Sequence, residues 1–370
     1  MKIKTVYMDI EEVLAQPVQQ HVYPKRPNIF SRMLLRAVSA PDLKATNFKY
    51  REFEMEKLGK KEPCLVLMNH SSFIDLKIAS TVLYPRPLNI VCTSDGFVGK
   101  ERFMRSLGCI PTRKFATDTQ LVRDMMFALK KLKSSILMYP EASYTFDGTA
   151  TPLPAGLGKC VKLMGVPVVM IRTYGAFARD PLYNGLRLRK VDVSADISYI
   201  LSPEDIRTKT AEDINGILYE QFSFDNFKWQ QENNVKISEP FRAEGLNRVL
   251  YKCPHCGAEG SMESGGTDIL CNACGKGYTL TEYGFMEAKE GKTEFPHIPD
   301  WYAWERDCVR QEILKGSYKL DVPVDIYMMV NTRKVYGIGE GRLTHGENGF
   351  RLTGCNGKLD YHQHPLASYS

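Results

Sequence analysis

The apolar run Cys64-Leu65-Val66-Leu67-Met68, followed at once by Asn69-His70-Ser71-Ser72-Phe73-Ile74-Asp75, constrains this chain more than any other segment. A strand-length run that is apolar at every position reads as a strand buried on both faces, inside a sheet covered by helices. Polar groups directly behind such a strand are delivered to the sheet edge, where α/β enzymes hold their chemistry.

A histidine titrates near neutrality and can take a proton from a hydroxyl. A carboxylate on its other ring nitrogen fixes the tautomer and stabilises the imidazolium that forms. Leu76-Lys77-Ile78-Ala79-Ser80 reads as a helix opened by Asp75, so the turn between can fold the aspartate back toward His70. The plainer alternative makes His70 a turn residue and Asp75 a helix cap. Ser71 and Ser72 lack a Gly-x-Ser-x-Gly elbow, which favours direct use of the histidine over a serine nucleophile.

Three further segments follow: Gly108-Cys109-Ile110-Pro111-Thr112-Arg113-Lys114, Tyr139-Pro140-Glu141-Ala142-Ser143-Tyr144, and Val166-Pro167-Val168-Val169-Met170-Ile171. With the His70 segment, their order and spacing resemble the four blocks of the glycerolipid acyltransferase family, of the lysophosphatidic acid acyltransferase type, over roughly residues 45 to 225. The resemblance implies that His70 is the general base, Asp75 its orienting partner, and that the acceptor hydroxyl attacks the acyl thioester directly, with no acyl-enzyme. It also implies an acceptor site that includes Asn69, Gly108, Arg113 and Glu141. Arg113 would hold a phosphate, a task suited to a planar, permanently charged fork. The implied substrates are an acyl-CoA or acyl-ACP donor and a lysophospholipid acceptor such as 1-acyl-glycerol-3-phosphate, which would place the protein in phospholipid biosynthesis.

The third block departs from the family's Glu-Gly-Thr-Arg-Ser: Ala142 stands for the glycine and Tyr144 for the basic residue. One cation is thereby lost from the implied phosphate pocket. Arg172, emerging after the run Val166 to Ile171, is a candidate to replace it. The alternative pairs Arg172 with a local acid such as Asp180.

At 370 residues and 43% hydrophobic content, the chain can bury a sizeable core and hold more than one domain. No apolar stretch approaches the roughly 20 residues of a membrane-spanning helix, and Met1-Lys2-Ile3-Lys4 leads into Asp9, Glu11 and Glu12, unlike a secretory leader. A cytoplasmic protein attached peripherally to the inner face of the membrane is therefore expected. Asn28 to Val38 suits that attachment: Ile29, Phe30, Met33, Leu34 and Val38 fall near one helical face, with Arg32 and Arg36 on another. The same stripe also fits a helix packed on a core. The net charge of +6 weakly favours anionic surfaces.

Cys253-Pro254-His255-Cys256 is followed after fourteen residues by Cys271-Asn272-Ala273-Cys274-Gly275. Two such knuckles supply four thiolates for one tetrahedral zinc, with Gly257 and Gly275 placed for the tight turns. The pattern resembles a zinc ribbon over residues 250–285, and a closed four-cysteine site makes the zinc structural, one per chain. A pair of redox dithiols is the competing reading. The other six cysteines, Cys64, Cys92, Cys109, Cys160, Cys308 and Cys355, are scattered and read as reduced core residues.

The alternating patterns predict an α/β fold, a sheet flanked by helices and later a small antiparallel β module. The resemblance implies that the first is an acyltransferase domain of mixed sheet, followed by the zinc ribbon. The boundaries read as an N-terminal segment 1–44, a catalytic domain 45–225, a linker 226–249, the ribbon 250–285, and a helix plus β domain 286–370. Leu186 to Ile200 alternates like a strand, and Ser202-Pro203-Glu204-Asp205 like a helix start. Two other functions stay open: acyl transfer to an acceptor without a glycerophosphate, or an idle fold whose ribbon binds nucleic acid or protein. The ribbon's few cations make nucleic acid the weakest of these.

Overall fold

A computed structural model describes residues 5–113 and 118–365. Lys114 of the second block lies outside the described residues. By packing, the chain divides into two compact units, Met33–Pro85 with Tyr139–Cys308, and Met1–Arg32 with Arg86–Met138 and Val309–Ser370.

In the first unit, strand Leu65–Met68 is buried at all four positions. It runs parallel to Val168–Tyr174, in the register Leu65 opposite Val168 and Met68 opposite Ile171. Val168–Tyr174 pairs antiparallel with Ser194–Leu201, which runs parallel to Lys49–Phe53. The sheet is thus mixed, with β-branched and long apolar residues filling its inner strands. Helix Ile74–Val82 follows the His70 segment and buries Ile74, Asp75, Ile78 and Ala79. Ser202 and Asp205 form a reciprocal capping box with Pro203 at the first turn. The expected strand start at Leu186 is displaced to Ser194. Its cause is Arg189, which is buried and donates to the Tyr183 hydroxyl, the Asn184 side-chain carbonyl and the Arg242 carbonyl, so that stretch follows a buried polar network.

The stretch 226–249, expected as a polar linker, is built structure. Helix Asn226–Glu232 buries Asn226, Phe227 and Gln230. Phe227, Leu246, Val249 and Leu250 share one apolar core with Tyr278 and Trp301. The polar residues that suggested a linker are instead hydrogen-bonded inward: Gln230 donates to the carbonyls of Val235 and Glu282. The ribbon is a four-stranded antiparallel meander, Met262–Gly265, Asp268–Cys271, Gly277–Leu280 and Met286–Ala288. Trp301 closes its core, donating from Nε1 to the Lys252 carbonyl at 2.9 Å and meeting the Tyr278 ring edge-on.

In the second unit, Leu88–Thr93 runs parallel to both Cys109–Thr112 and Ser135–Met138. The C-terminal residues form an antiparallel sheet of Leu320–Met328, Val335–Gly346, Gly349–Gly354 and Leu359–Gln363. Thr5–Tyr7 joins it, parallel to Val335–Gly346. The N-terminal residues therefore contribute to the C-terminal sheet, and helix Ile10–Leu14 packs Ile10 and Val13 against Ile326, Tyr336 and Ile338. Gly337 is required at that junction, since a Cβ there would lie 2.6 Å from the Tyr7 ring.

Helix Ile29–Ala45 begins with the Asn28 side chain accepting from the Ser31 amide. It buries only Ser39 and Leu43, whereas Ile29, Phe30, Met33, Leu34 and Val38 are 40 to 77% exposed. Its apolar stripe does not face a core. Among the described residues no helix is long and apolar enough to cross a membrane.

Candidate active site and four-cysteine centre

Asp75 organises the turn behind strand Leu65–Met68. One oxygen, Oδ2, accepts from His70 Nδ1 at 3.0 Å, from the Ser71 amide at 2.7 Å and from the Ser72 amide at 3.0 Å. A carboxylate can only accept, so the imidazole proton sits on Nδ1 and Nε2 is the basic nitrogen. Asp75 is fully buried and the His70 side chain is 22% exposed, which leaves the ring reachable while its partner is shielded from water. The turn that would have been a simple cap is thus closed onto the ring by the same aspartate that opens the helix.

Glu141 holds the turn from the other side. Its Oε2 accepts from the His70 amide and its Oε1 from the Thr151 amide, both at 2.8 Å, and the residue is 3% exposed. Both oxygens accept from backbone amides, so Glu141 ties the His70 turn to the segment at Thr151. The His70 carbonyl in turn accepts from the Thr145 amide at 3.0 Å, clamping the Glu141 loop to the His70 turn. Asn69 is likewise scaffolding: its Oδ1 accepts from the Thr173 amide and hydroxyl, and its Nδ2 donates to Ser71 Oγ. That ties the ends of two neighbouring strands together.

Ser71 and Ser72 are 1% exposed. The Ser71 hydroxyl accepts from Asn69, and that of Ser72 from the Ile74 amide.

Arg172 does not reach toward the site or toward Asp180. Its Nε and Nη2 donate to the carbonyl of Gln221, and Nη2 also to that of Glu220, at the end of helix Ala211–Phe222. Cations favour helix C-termini, where carbonyls lack intrahelical partners. Strand alternation sends the Arg172 and Thr173 side chains to opposite faces, and Thr173 is the one bonded to Asn69. Asp180 pairs instead with its neighbour Arg179 at 3.1 Å, and Arg179 also approaches Asp42 at 3.6 Å.

Gly108 and Arg113 belong to the second unit. Gly108 has φ +89°, and a Cβ there would meet Pro27 at 3.0 Å and the Leu88 carbonyl at 3.1 Å, so its glycine is dictated by backbone approach. Arg113 follows strand Cys109–Thr112 with its side chain 66% exposed and 3.8 Å from Asp118.

Two aromatic residues at the site carried no assigned role in the sequence. The His70 ring stacks with Tyr139 at 4.1 Å between centroids and packs against Tyr144 at 4.2 Å. Phe73 meets Tyr144 edge-on at 5.8 Å. Tyr144 was visible only as the residue standing where the family has a base. Asp180, 1% exposed, was visible only as a possible ion-pair partner.

The four ribbon thiols converge. Cys253 and Cys274 sulfurs are 3.8 Å apart, as are those of Cys256 and Cys271, and all four lie within 4.8 Å of one another. Zinc–sulfur bonds of about 2.3 Å in a tetrahedron place sulfurs about 3.8 Å apart, so the donor set fits that ion. Each knuckle turns through a glycine: Gly257 at φ +77° donates to the Cys253 carbonyl, and Gly275 at φ +76° to that of Cys271. His255 lies outside the set and faces Glu294 at 3.2 Å.

The family model described as Acyltransferase matches residues 50–173. Among solved structures, the chain is similar to the 1-acyl-sn-glycerophosphate (LPA) acyltransferase PlsC from Thermotoga maritima. The two share 15% identity over 52% of this chain and 76% of that one, with a TM-score of 0.42. No curated protein matches the sequence.

Ala142 occupies the left-handed region at φ +60°, in a turn closed by its amide on the Tyr139 carbonyl at 3.1 Å. An L-residue there is strained where glycine is not. Ala142→Gly should therefore raise unfolding stability by roughly 0.5–1 kcal/mol, measured by chemical denaturation.

Burial pushes the Glu141 carboxyl up to about 7, outweighing the two amides that favour its charged form. A folded-state pKa above the ordinary 4.5 means the native state holds the proton more tightly. The stability so gained is full below about 4.5 and is lost as pH rises through about 7. Glu141→Gln removes this titration and sets an amide NH2 against a backbone N–H. It should flatten the pH dependence of stability between pH 5 and 8 and cost about 1–3 kcal/mol at pH 8. Denaturation curves of both proteins across that range check this.

Proposed function

We propose, from the premise that residues 50–173 form an acyltransferase-family domain, that this protein transfers a fatty acyl group from a thioester, acyl-CoA or acyl-ACP, to the hydroxyl of a lysophospholipid. The observation that carries the reading is the His70 Nδ1 to Asp75 Oδ2 bond at 3.0 Å, made by an oxygen that two backbone amides already hold in place. His70 Nε2 takes the hydroxyl proton as the acceptor oxygen attacks the thioester carbonyl. The tetrahedral adduct then expels the thiolate, and the imidazolium returns its proton to that sulfur. Asp75 keeps the tautomer and stabilises the imidazolium between the two transfers. The burial and engagement of Ser71 and Ser72 support direct attack over a seryl intermediate. Arg113, by its place in the second block, is assigned the acceptor's phosphate. Arg172 is not, because its Nε and Nη2 donate to the carbonyls of Gln221 and Glu220.

The exposed apolar row of helix Ile29–Ala45, with Arg32 and Arg36 beside it, supports attachment to a membrane surface, where a lysophospholipid acceptor would be met. The four cysteines take a structural zinc, with no coordination position left for substrate.

His70→Ala should reduce acyl-thioester consumption in the presence of a lysophospholipid panel by at least about a thousand-fold, and Asp75→Asn by at least about a hundred-fold. Both variants should retain the wild-type circular dichroism. Transfer undiminished by His70→Ala would remove His70 from the chemistry. Metal analysis should find one zinc per chain in the wild type and in His70→Ala alike. Chelation should unfold the ribbon, read by Trp301 fluorescence, because metal binding in so small a module is folding free energy.

A further inference from the structure

The side chains gathered at the His70 ring in its own unit are unlike a phosphate pocket. Aromatic faces come from Tyr139, Tyr144 and the half-exposed Phe73. Three buried carboxylates, Asp75, Glu141 and Asp180, lie around them. Asp180 and Asp75 each present one buried oxygen that has no hydrogen-bond partner among the described residues. Asp180 pairs with Arg179, and Asp75 is held by the His70 ring and two backbone amides. The charges of Asp75 and Asp180 reach the Tyr144 hydroxyl and, after burial, hold its proton more firmly than usual. The buried Asp75 carboxylate beside electron-rich ring faces repels a dianionic phosphate monoester and attracts an ammonium.

We infer that Tyr144, backed by Phe73, is a specificity-determining residue that receives the ammonium of a zwitterionic lysophospholipid with a choline head group and disfavours the phosphate-monoester lysolipid. The inference rests on the acyl-transfer reading above and names the acceptor class of that same site. A choline lysolipid carries a phosphodiester and an ammonium, so its net charge is zero. Tyr144, in the place of the family's basic residue, thus exchanges a cation that would hold a phosphate for a ring that holds a cation.

The test measures kcat/KM for a choline lysolipid and for the phosphate-monoester lysolipid of the same acyl chain, with the full-length protein. The wild type should favour the choline lysolipid at least ten-fold. Tyr144→Phe, which keeps the ring, should preserve that ratio within about two-fold. Tyr144→Arg should lower it at least ten-fold by restoring the cation, and Tyr144→Leu, which supplies neither ring nor charge, at least three-fold, so that one poorly folding variant does not decide the result. A wild type that prefers the phosphate monoester, or uses neither lipid, overturns the inference. So does a ratio that both Tyr144→Arg and Tyr144→Leu leave unchanged while both rates fall together, the signature of a structural role. His70→Ala, run alongside, separates the two readings. If it retains transfer, the acyl-transfer mechanism itself fails. If it abolishes transfer while the ratio ignores Tyr144, only the acceptor class is wrong.

Discussion

A single oxygen of Asp75 accepting from the His70 ring and from the amides of Ser71 and Ser72 is the constraint on which the rest of the site depends. Three donors on one buried carboxylate oxygen fix the turn, the ring orientation and the tautomer together, and each is a charge-assisted bond shielded from water. Glu141 performs the matching task from the neighbouring loop, receiving the amide of His70 and that of Thr151. Asn69 adds a third tie, from the end of one strand to Thr173 on the next. The imidazole is therefore aimed by backbone and buried acids.

The same geometry accounts for the aromatic character of the site. With Glu141 turned inward to hold the loop, Tyr144, three positions on, is set against the His70 ring. A ring in that place packs against the imidazole and excludes water from it, which strengthens the Asp75 interaction. Asp180 adds a buried carboxyl near Ser72 and Tyr144, paired with Arg179. Burial raises its carboxyl to about 6, while Arg179 and the Ser72 hydroxyl pull the other way.

Features fixed by short spacing were legible in the sequence. His70 and Asp75 are five positions apart across one turn, and each cysteine knuckle closes on its own glycine, so local geometry brings these groups together. The capping box at Ser202 is local in the same sense. What escaped sequence reading is set by distant partners. Arg172 looked free at a strand end because its acceptors, the carbonyls of Glu220 and Gln221, are about fifty residues away and carry no side-chain signal. Glu141 looked like a ligand because carboxylates are normally solvated, yet two remote amides occupy it. The polar 226–249 stretch looked like a linker because burial of Gln230 and Asn226 depends on backbone partners that the sequence does not reveal. Thr5–Tyr7 pairs with residues 335–337 across almost the whole chain, and three residues carry too little pattern to announce such a strand.

Direct attack by the acceptor and relay through a serine differ in one observable. With acyl thioester present and acceptor absent, intact-protein mass spectrometry should show the unmodified chain at every time point, and transfer should begin only when acceptor is added. A protein mass increased by one acyl group, mapping to Ser71 or Ser72 and discharged by acceptor, would contradict general-base catalysis by the Asp75-held His70.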